Sequence, residues 1–179
     1  MEKSFEYRIY PNKKQEELIQ KTFGCCRFVY NKCLSLKINK YKNENISMGK
    51  FDLNNYCNRE LKKNYSWLKE VDKCSLTNSI YNMDNAFQKL FKEHSGYPKF
   101  KSKRKSKPSF YVDTDKIQFT DTHVKLEKLT LSRKKNKQKF NWIKLAEKNK
   151  VPTNSKYINP RVTFDGINWW ISVSIEYND

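Results

Sequence analysis

Residues 3–34 read KSFEYRIYPNKKQEELIQKTFGCCRFVYNKCL, and their periodicity changes once, at Pro11. Before it, Phe5, Tyr7 and Ile9 alternate with Glu6, Arg8 and Tyr10, the pattern of a short strand. After it, Asn12 suits a helix N-cap, and Gln15 three positions on completes a capping-box start. From Lys13 to about Tyr41, Leu18, Thr22, Cys25/Cys26, Val29, Cys33 and Leu36 recur at spacings of three and four, which predicts one long helix with Gly24 as its natural bend. A lone first strand needs partners, and these must come from far along the chain.

The rest of the sequence says where. A polar break at 42–50 precedes a second helix over Phe51, Leu53, Tyr56, Cys57 and Leu61. A loop, NYSWLKEVD, is expected to tuck Trp67 and Leu68 inward. A third helix from about Ser75 should bury Leu76, Ile80, Met83, Phe87, Leu90 and Phe91, ending at the Gly96-Tyr97-Pro98 turn. Beyond the basic linker 98–108 come short alternating runs: FYVDT, KIQFT, HVKLEK and LTLSRKK. FNWIKLAEK (140–148) reads equally as strand or helical turn. Two strands then flank a turn at Asp165-Gly166, with Ile171, Val173 and Ile175 strictly alternating. The partners of the first strand therefore lie after residue 108. The reading is an α+β chain: a small antiparallel β-barrel or sandwich from residues 1–10 and 108–179, with a helical segment inserted at 11–107.

The chain has 179 residues, 37 Lys+Arg and 19 Asp+Glu, so its formal net charge is +18; 15% of residues are aromatic, enough to build a core. Such a surplus points to a polyanion, because neutralising phosphates releases counterions. Apolar stretches are too short for a membrane span, and no apolar run near Met1 resembles a secretion signal. The five cysteines lack C-x-x-C spacing, which disfavours a disulfide framework and a zinc knuckle and suits a reducing cytoplasm. No metal or cofactor is expected, since His94 and His123 are isolated. Asp113, Asp115, Asp121, Asp165 and Glu176 fall mostly at turns rather than converging as nuclease carboxylates would, and Asp84 reads as an exposed helix residue. Nothing in the pattern supports catalysis.

Binding candidates are clearer. Tyr97, Lys99, Phe100, Lys101, Lys103, Arg104, Lys105, Lys107 and Phe110 interleave cations with rings that stack on bases. Arg133, Lys134, Lys135, Lys137 and Lys139 form a second cluster. Arg27 sits among residues that should be buried, which suits a phosphate contact or an ion pair with Glu16 or Glu17. Ser75, Asn78 and Asn82 share a helix face, and amide side chains can read adenine edges.

With these residues in hand, FEYRIYPNKKQEELIQKTFGCCRFVYNKCL (5–34) resembles the opening of the TnpB (OrfB) family of insertion-sequence RNA-guided nucleases, relatives of miniature type V CRISPR effectors. WLKEVD (67–72), the AFQKLF helix (86–91), GYPKFKSK (96–103) and the closing WWISVSIEY fit the same family. The resemblance covers the front half of a family member. The RuvC-like nuclease strand and zinc ribbon of the family have no counterpart among these residues. It implies a wedge-like, oligonucleotide-binding-type barrel and a helical recognition lobe that hold guide RNA and target duplex. Arg8, Lys13, Gln15, Arg27 and Asn31 then map to the junction of wedge and first helix, and Lys73, Ser75, Thr77, Asn78 and Asn82 to the target-adjacent duplex.

The expected function is a non-catalytic RNA-binding protein, bacterial or phage-encoded, cytoplasmic and nucleoid-associated, modulating or inhibiting a related nuclease or CRISPR effector. Structured, guide-like RNA is the first expected partner and duplex DNA the second. The alternatives are a helix-turn-helix-like DNA repressor, and a fragment that works only with a separate RuvC-like nuclease half.

Overall fold

The computed structural model describes residues 1–130 and 134–176. They form two units: residues 1–23 with 107–179, and residues 24–106.

In the first unit, β1 (Glu2–Tyr10) buries Ile9 and half-buries Phe5 and Tyr7, as its alternation requires. Pro11 ends it. Asn12 and Gln15 then form the expected capping box: the Gln15 amide N–H donates to Asn12 Oδ1 and the Asn12 N–H to Gln15 Oε1, both at 2.9 Å. The helix that follows, α1, runs from Lys13 to Glu44 with no break at Gly24.

The partners of β1 come from the other end of the chain. It pairs antiparallel with β7 (Trp169–Glu176) from Glu2↔Glu176 to Ile9↔Trp169, and with β5 (Trp142–Leu145) at Ile9↔Leu145. Around this centre stand β2 (Ser109–Tyr111), β3 (Gln118–Phe119), β4 (His123–Lys125) and β6 (Tyr157–Phe164), in the order β2-β6-β7-β1-β5-β4-β3. FNWIKLAEK thus resolves into a strand, preceded by a 3₁₀ turn over Lys135–Asn141. Within LTLSRKK no strand forms among the described residues; Leu131, Ser132 and Arg133 lie outside them, as does Tyr177 of the closing run.

The expected barrel does not close. Its end strands β2 and β3 have three and two residues, too little backbone for a closing ladder, so the sheet is open. It nevertheless curls: the Phe119 ring of β3 lies 4.9 Å from Tyr157 of β6 and 6.4 Å from Tyr7 of β1. Ile9, Val124, Ile143, Val162, Ile171 and Ile175 are fully enclosed. Phe23, from the first stretch of α1, packs against Phe110 and Trp169 at 5.2 and 6.3 Å. In β6, Pro160 sits at a register shift between Ile158 and Arg161, where a missing N–H donor is harmless. At the β6–β7 turn Gly166 takes φ +99°, a conformation that favours glycine. Asp165 holds that turn. Hydrogen bonds from the Asn168 N–H, the Trp170 indole and the Ile167 N–H keep its carboxyl below the usual range.

In the second unit, α2 (Lys50–Tyr56) continues through a π-helical stretch, Cys57–Leu61, into α3 (Lys62–Asn64). Leu53, Cys57 and Leu61 are its buried side. A 3₁₀ turn, Ser66–Glu70, leads to α4 (Lys73–Glu93). Small residues face α1 there, and the Ser79 hydroxyl donates to the Cys26 carbonyl at 2.8 Å. Burial, and then the neighbouring Cys57, push the Cys33 thiol up to about 12, so it is a neutral packing group.

Three expectations about the inside are corrected. Trp67 and Phe91 remain 38% and 67% exposed, because Leu68 and Phe87 already fill the positions facing the core. Asp84 is buried rather than solvated. Lys37 Nζ lies 3.9 Å from its Oδ1, donates to the Met48 carbonyl, and sits 5.1 Å from the Phe87 ring centre.

Removing Asp84 would leave that ammonium buried with only a carbonyl and a ring. Asp84→Ala should therefore destabilise the protein by about 3 kcal/mol, the low end for an orphaned buried charge. Urea unfolding measures this, with Lys37→Met/Asp84→Leu recovering most of the loss. An unchanged midpoint in the single variant would show that the pair is hydrated.

Candidate nucleic-acid interface

The helical unit organises its basic run through one side chain. Asn31 Nδ2 donates to the Lys101 carbonyl and the Lys101 N–H donates to Asn31 Oδ1, each at 2.8 Å. A primary amide meets a peptide group edge to edge here, as one strand meets another. The Lys101 ammonium lies 4.2 Å from the Tyr30 ring centre, a cation–π distance. Asn31 thus anchors the basic segment to α1.

Just beyond the clamp the chain makes one tight turn. The Ser106 N–H donates to the Ser102 carbonyl at 3.0 Å, Lys105 N–H to Ser102 Oγ at 3.2 Å, and Ser102 N–H to Ser106 Oγ at 3.3 Å. Serine suits both ends because its short side chain sets a hydroxyl oxygen to accept from a nearby backbone N–H. The turn leaves Lys103, Arg104 and Lys105 exposed together, with Lys99 and Phe100 exposed before it. Tyr97 is exposed too, its ring edge-on to Phe87 at 5.9 Å. These six residues thus give the segment an exposed, cationic and partly aromatic face.

Other candidates fare differently. Arg27 is half-buried, with an Nη2 close enough that a Cβ on Gly24 would stand 3.8 Å from it, and it has no ion pair among the described residues. Lys73 is exposed at the start of α4, but Ser75 is 2% exposed and its carbonyl accepts from the Cys26 thiol at 3.6 Å. Thr77 donates to Asn54 Oδ1 at 3.2 Å, and Asn82 donates to Asn78 Oδ1 at 3.1 Å. Asn78 and Asn82 are half-buried.

In the other unit, Gln15 is 4% exposed, and its Nε2 donates to the carbonyls of Phe140 and Trp142 at 2.9 and 2.8 Å. Its amide is consumed inside the fold. Arg8 is exposed, donates to Asn168 Oδ1 at 2.7 Å and lies 5.0 Å from the Tyr10 ring centre. Lys13, Lys134 and Lys135 are exposed, Lys137 and Lys139 lie 5.6 and 5.5 Å from the Phe140 ring, and Arg133 is outside the described residues. Among the described residues no three side chains gather as a metal site. No helix among them is long and apolar enough to cross a membrane.

Comparison with known proteins bears on this arrangement. Residues 1–45 match a family model of the OrfB/IS605 type, described as a helix-turn-helix domain. A putative RNA-guided DNA endonuclease of Streptomyces pristinaespiralis is 32% identical over 111 residues, 61% of this chain and 27% of that protein. The virulence protein VsdF of Salmonella dublin is 34% identical over 105 residues, 53% of this chain and 88% of VsdF. The chain belongs to the TnpB (OrfB) family. It corresponds to the N-terminal portion of the family, spanning about a quarter of the Streptomyces protein. The putative RNA-guided DNA endonuclease InsQ of Escherichia coli K12 is 25% identical over 137 residues, 74% of this chain and 33% of InsQ. Among solved structures, a Cas12f1 chain from an sgRNA–target DNA complex superposes with a TM-score of 0.53 over all of this chain and 49% of that one. At 13% identity that likeness concerns the fold.

Two missing hydrogen bonds, at about 1 kcal/mol each, amount to a factor of roughly 30 in the opening of the segment around Lys101. Hydrogen exchange at the Lys101 amide should accelerate by about that factor in Asn31→Ala while α4 stays protected. Unaltered exchange at Lys101 would mean that the clamp does not hold the run.

Proposed function

We propose that this TnpB-family chain is a nucleic-acid-binding module without cleavage activity of its own, which grips structured, guide-like RNA. The observation that carries this is the serine-closed turn with Lys103, Arg104 and Lys105 projecting, moored to α1 by Asn31. A random lysine linker would spend entropy on every phosphate it met; a moored one has already lost it. The net charge of +18 supports the same reading, as do the putative RNA-guided DNA endonucleases among the relatives and the Cas12f1 likeness. The open, curled sheet then serves as the wedge-like, oligonucleotide-binding-type element, and duplex DNA is a second ligand. A RuvC-like half would supply cutting. A related nuclease or effector deprived of its guide RNA by this chain would be inhibited.

A helix-turn-helix repressor is less well supported. Residues 1–45 are a strand followed by one uninterrupted helix, so the two short helices that dock such a motif in a groove are absent from the stretch the family model matches.

Affinity for a structured RNA, followed by fluorescence anisotropy between 50 and 200 mM salt, should fall by about three to five decades if six to ten phosphates are contacted. Lys103→Ala/Arg104→Ala/Lys105→Ala should lower the log–log salt slope by about one per lost contact. A slope equal to that of the wild type would reduce the turn to a solvated loop.

A further inference from the structure

A second feature of the helical unit lies outside that basic surface. Phe28 of α1, Tyr65 and Trp67 pack edge to face, with ring centres 4.8 Å (Phe28–Tyr65), 4.9 Å (Phe28–Trp67) and 5.8 Å (Tyr65–Trp67) apart. The Lys32 ammonium stands 5.6 Å from the ring centres of both Phe28 and Tyr65. Trp67 rides on the 3₁₀ turn Ser66–Glu70, which buries Leu68 completely and leaves the indole 38% exposed. The buried leucine fixes the turn, and the turn presents the tryptophan. Large rings packed edge to face beside a cation, with one indole face left partly exposed, have the chemistry to receive a flat ligand.

Its place on α1 says what it recognises. Asn31 anchors the Lys101 backbone, while Phe28 and Lys32 lie one turn apart on the neighbouring stripe. Neighbouring stripes on a helix 10–12 Å across are separated by roughly 10 Å of surface. A strand whose phosphates lie along Lys99–Lys105, which Asn31 ties to this stretch of α1, would have its bases within reach of the rings. The occupant must be anionic, to suit a chain of +18, and must carry flat faces. Unpaired nucleotides have both properties; a paired duplex hides its base faces.

We propose that Trp67, backed by Phe28 and Tyr65 and flanked by Lys32, is a stacking platform for an unpaired base in a single-stranded segment of the bound nucleic acid. This rests on the nucleic-acid-binding reading and adds a contact that does not depend on salt. Recognition here is tolerant of sequence, since every base offers a π face.

The probe is an RNA hairpin with a single-stranded tail, compared with the same hairpin carrying abasic tail residues, so that the number of phosphates is constant. Trp67→Ala should weaken binding of the tailed hairpin roughly 5- to 150-fold, the range for one stacked base, with the salt slope unchanged. Trp67→Phe should recover most of it, and the wild-type protein should lose as much on the abasic tail. Equal affinities of wild type and Trp67→Ala, or of intact and abasic tails, overturn the platform. The abasic comparison uses wild-type protein, so equal affinities there overturn the platform even where Trp67→Ala folds poorly, and Trp67→Phe assigns any difference to this ring. Loss of binding in the Lys103/Arg104/Lys105 variant alone would keep the phosphate surface and discard the platform; a wild type that ignores the RNA at low salt discards both. A protein ligand lost in Trp67→Ala with RNA affinity intact would also overturn it.

Discussion

The pairing of the first strand with the last governs this chain. From Glu2↔Glu176 to Ile9↔Trp169, β1 lies beside β7, and its other edge takes β5. A β-strand left unpaired exposes two rows of polar backbone, so β1 has no stable existence until the C-terminal half arrives. The chain must therefore leave the sheet after β1 and return to it. The helical unit, residues 24–106, is what that excursion contains. Gln15 ties the departing helix to the returning chain through the carbonyls of Phe140 and Trp142. Because the contacts are so distant in sequence, folding of the sheet unit must be slow relative to the local helices.

The cationic surplus is sorted by the same fold. Some cations serve the interior: Lys37 bridges Met48, Asp84 and Phe87. Others lie over rings, as Lys101 does over Tyr30 and Lys137 and Lys139 do beside Phe140. Those of the Ser102–Ser106 turn point outward together. Counting lysines does not separate these roles, but asking what each backbone is tied to does. A charge whose peptide is fixed and whose head is exposed is the kind that binds a polyanion at low entropic cost.

How much was legible follows the range of the interactions. The strand, Pro11, the Asn12–Gln15 box and the Asp165-Gly166 turn depend on neighbours within a few positions, and their sequence signatures match what forms. Gln15 as a cross-link to Phe140 and Trp142 was hidden, because its partners are 125 and 127 residues away. Asp84 looked solvated for the same reason, since nothing local announces Lys37. Trp67 and Phe91 looked buried because hydrophobicity names a preference and not a side; the core positions had been taken by Leu68 and Phe87. Barrel closure was over-read, since alternation marks strands but not whether end strands are long enough to meet. Ser75 was read as a polar contact residue, and the structure buries it where its carbonyl accepts from the Cys26 thiol. Asn31 was read as a nucleic-acid contact, and what the sequence could not announce is that its amide meets the chain's own backbone at Lys101.

On the proposed reading, a clamp on α1 and a platform that shares Phe28 and Lys32 with the same helix would divide the binding energy into terms of different kind. The phosphate term at Lys103, Arg104 and Lys105 is long-ranged, sets the encounter rate and fades as salt rises. A stacking term at Trp67 acts at contact only and is nearly blind to ionic strength. With the first alone, any polyanion of sufficient charge would compete at low salt, and duplex and single strand would differ little. Adding the second favours ligands that present an unpaired base beside a dense phosphate track, which is the local anatomy of a folded RNA at a loop or tail. Selection by shape then needs no base-specific hydrogen bond. That is consistent with the amides of Gln15 and Asn31 being engaged within the protein, and with Asn82 donating to Asn78.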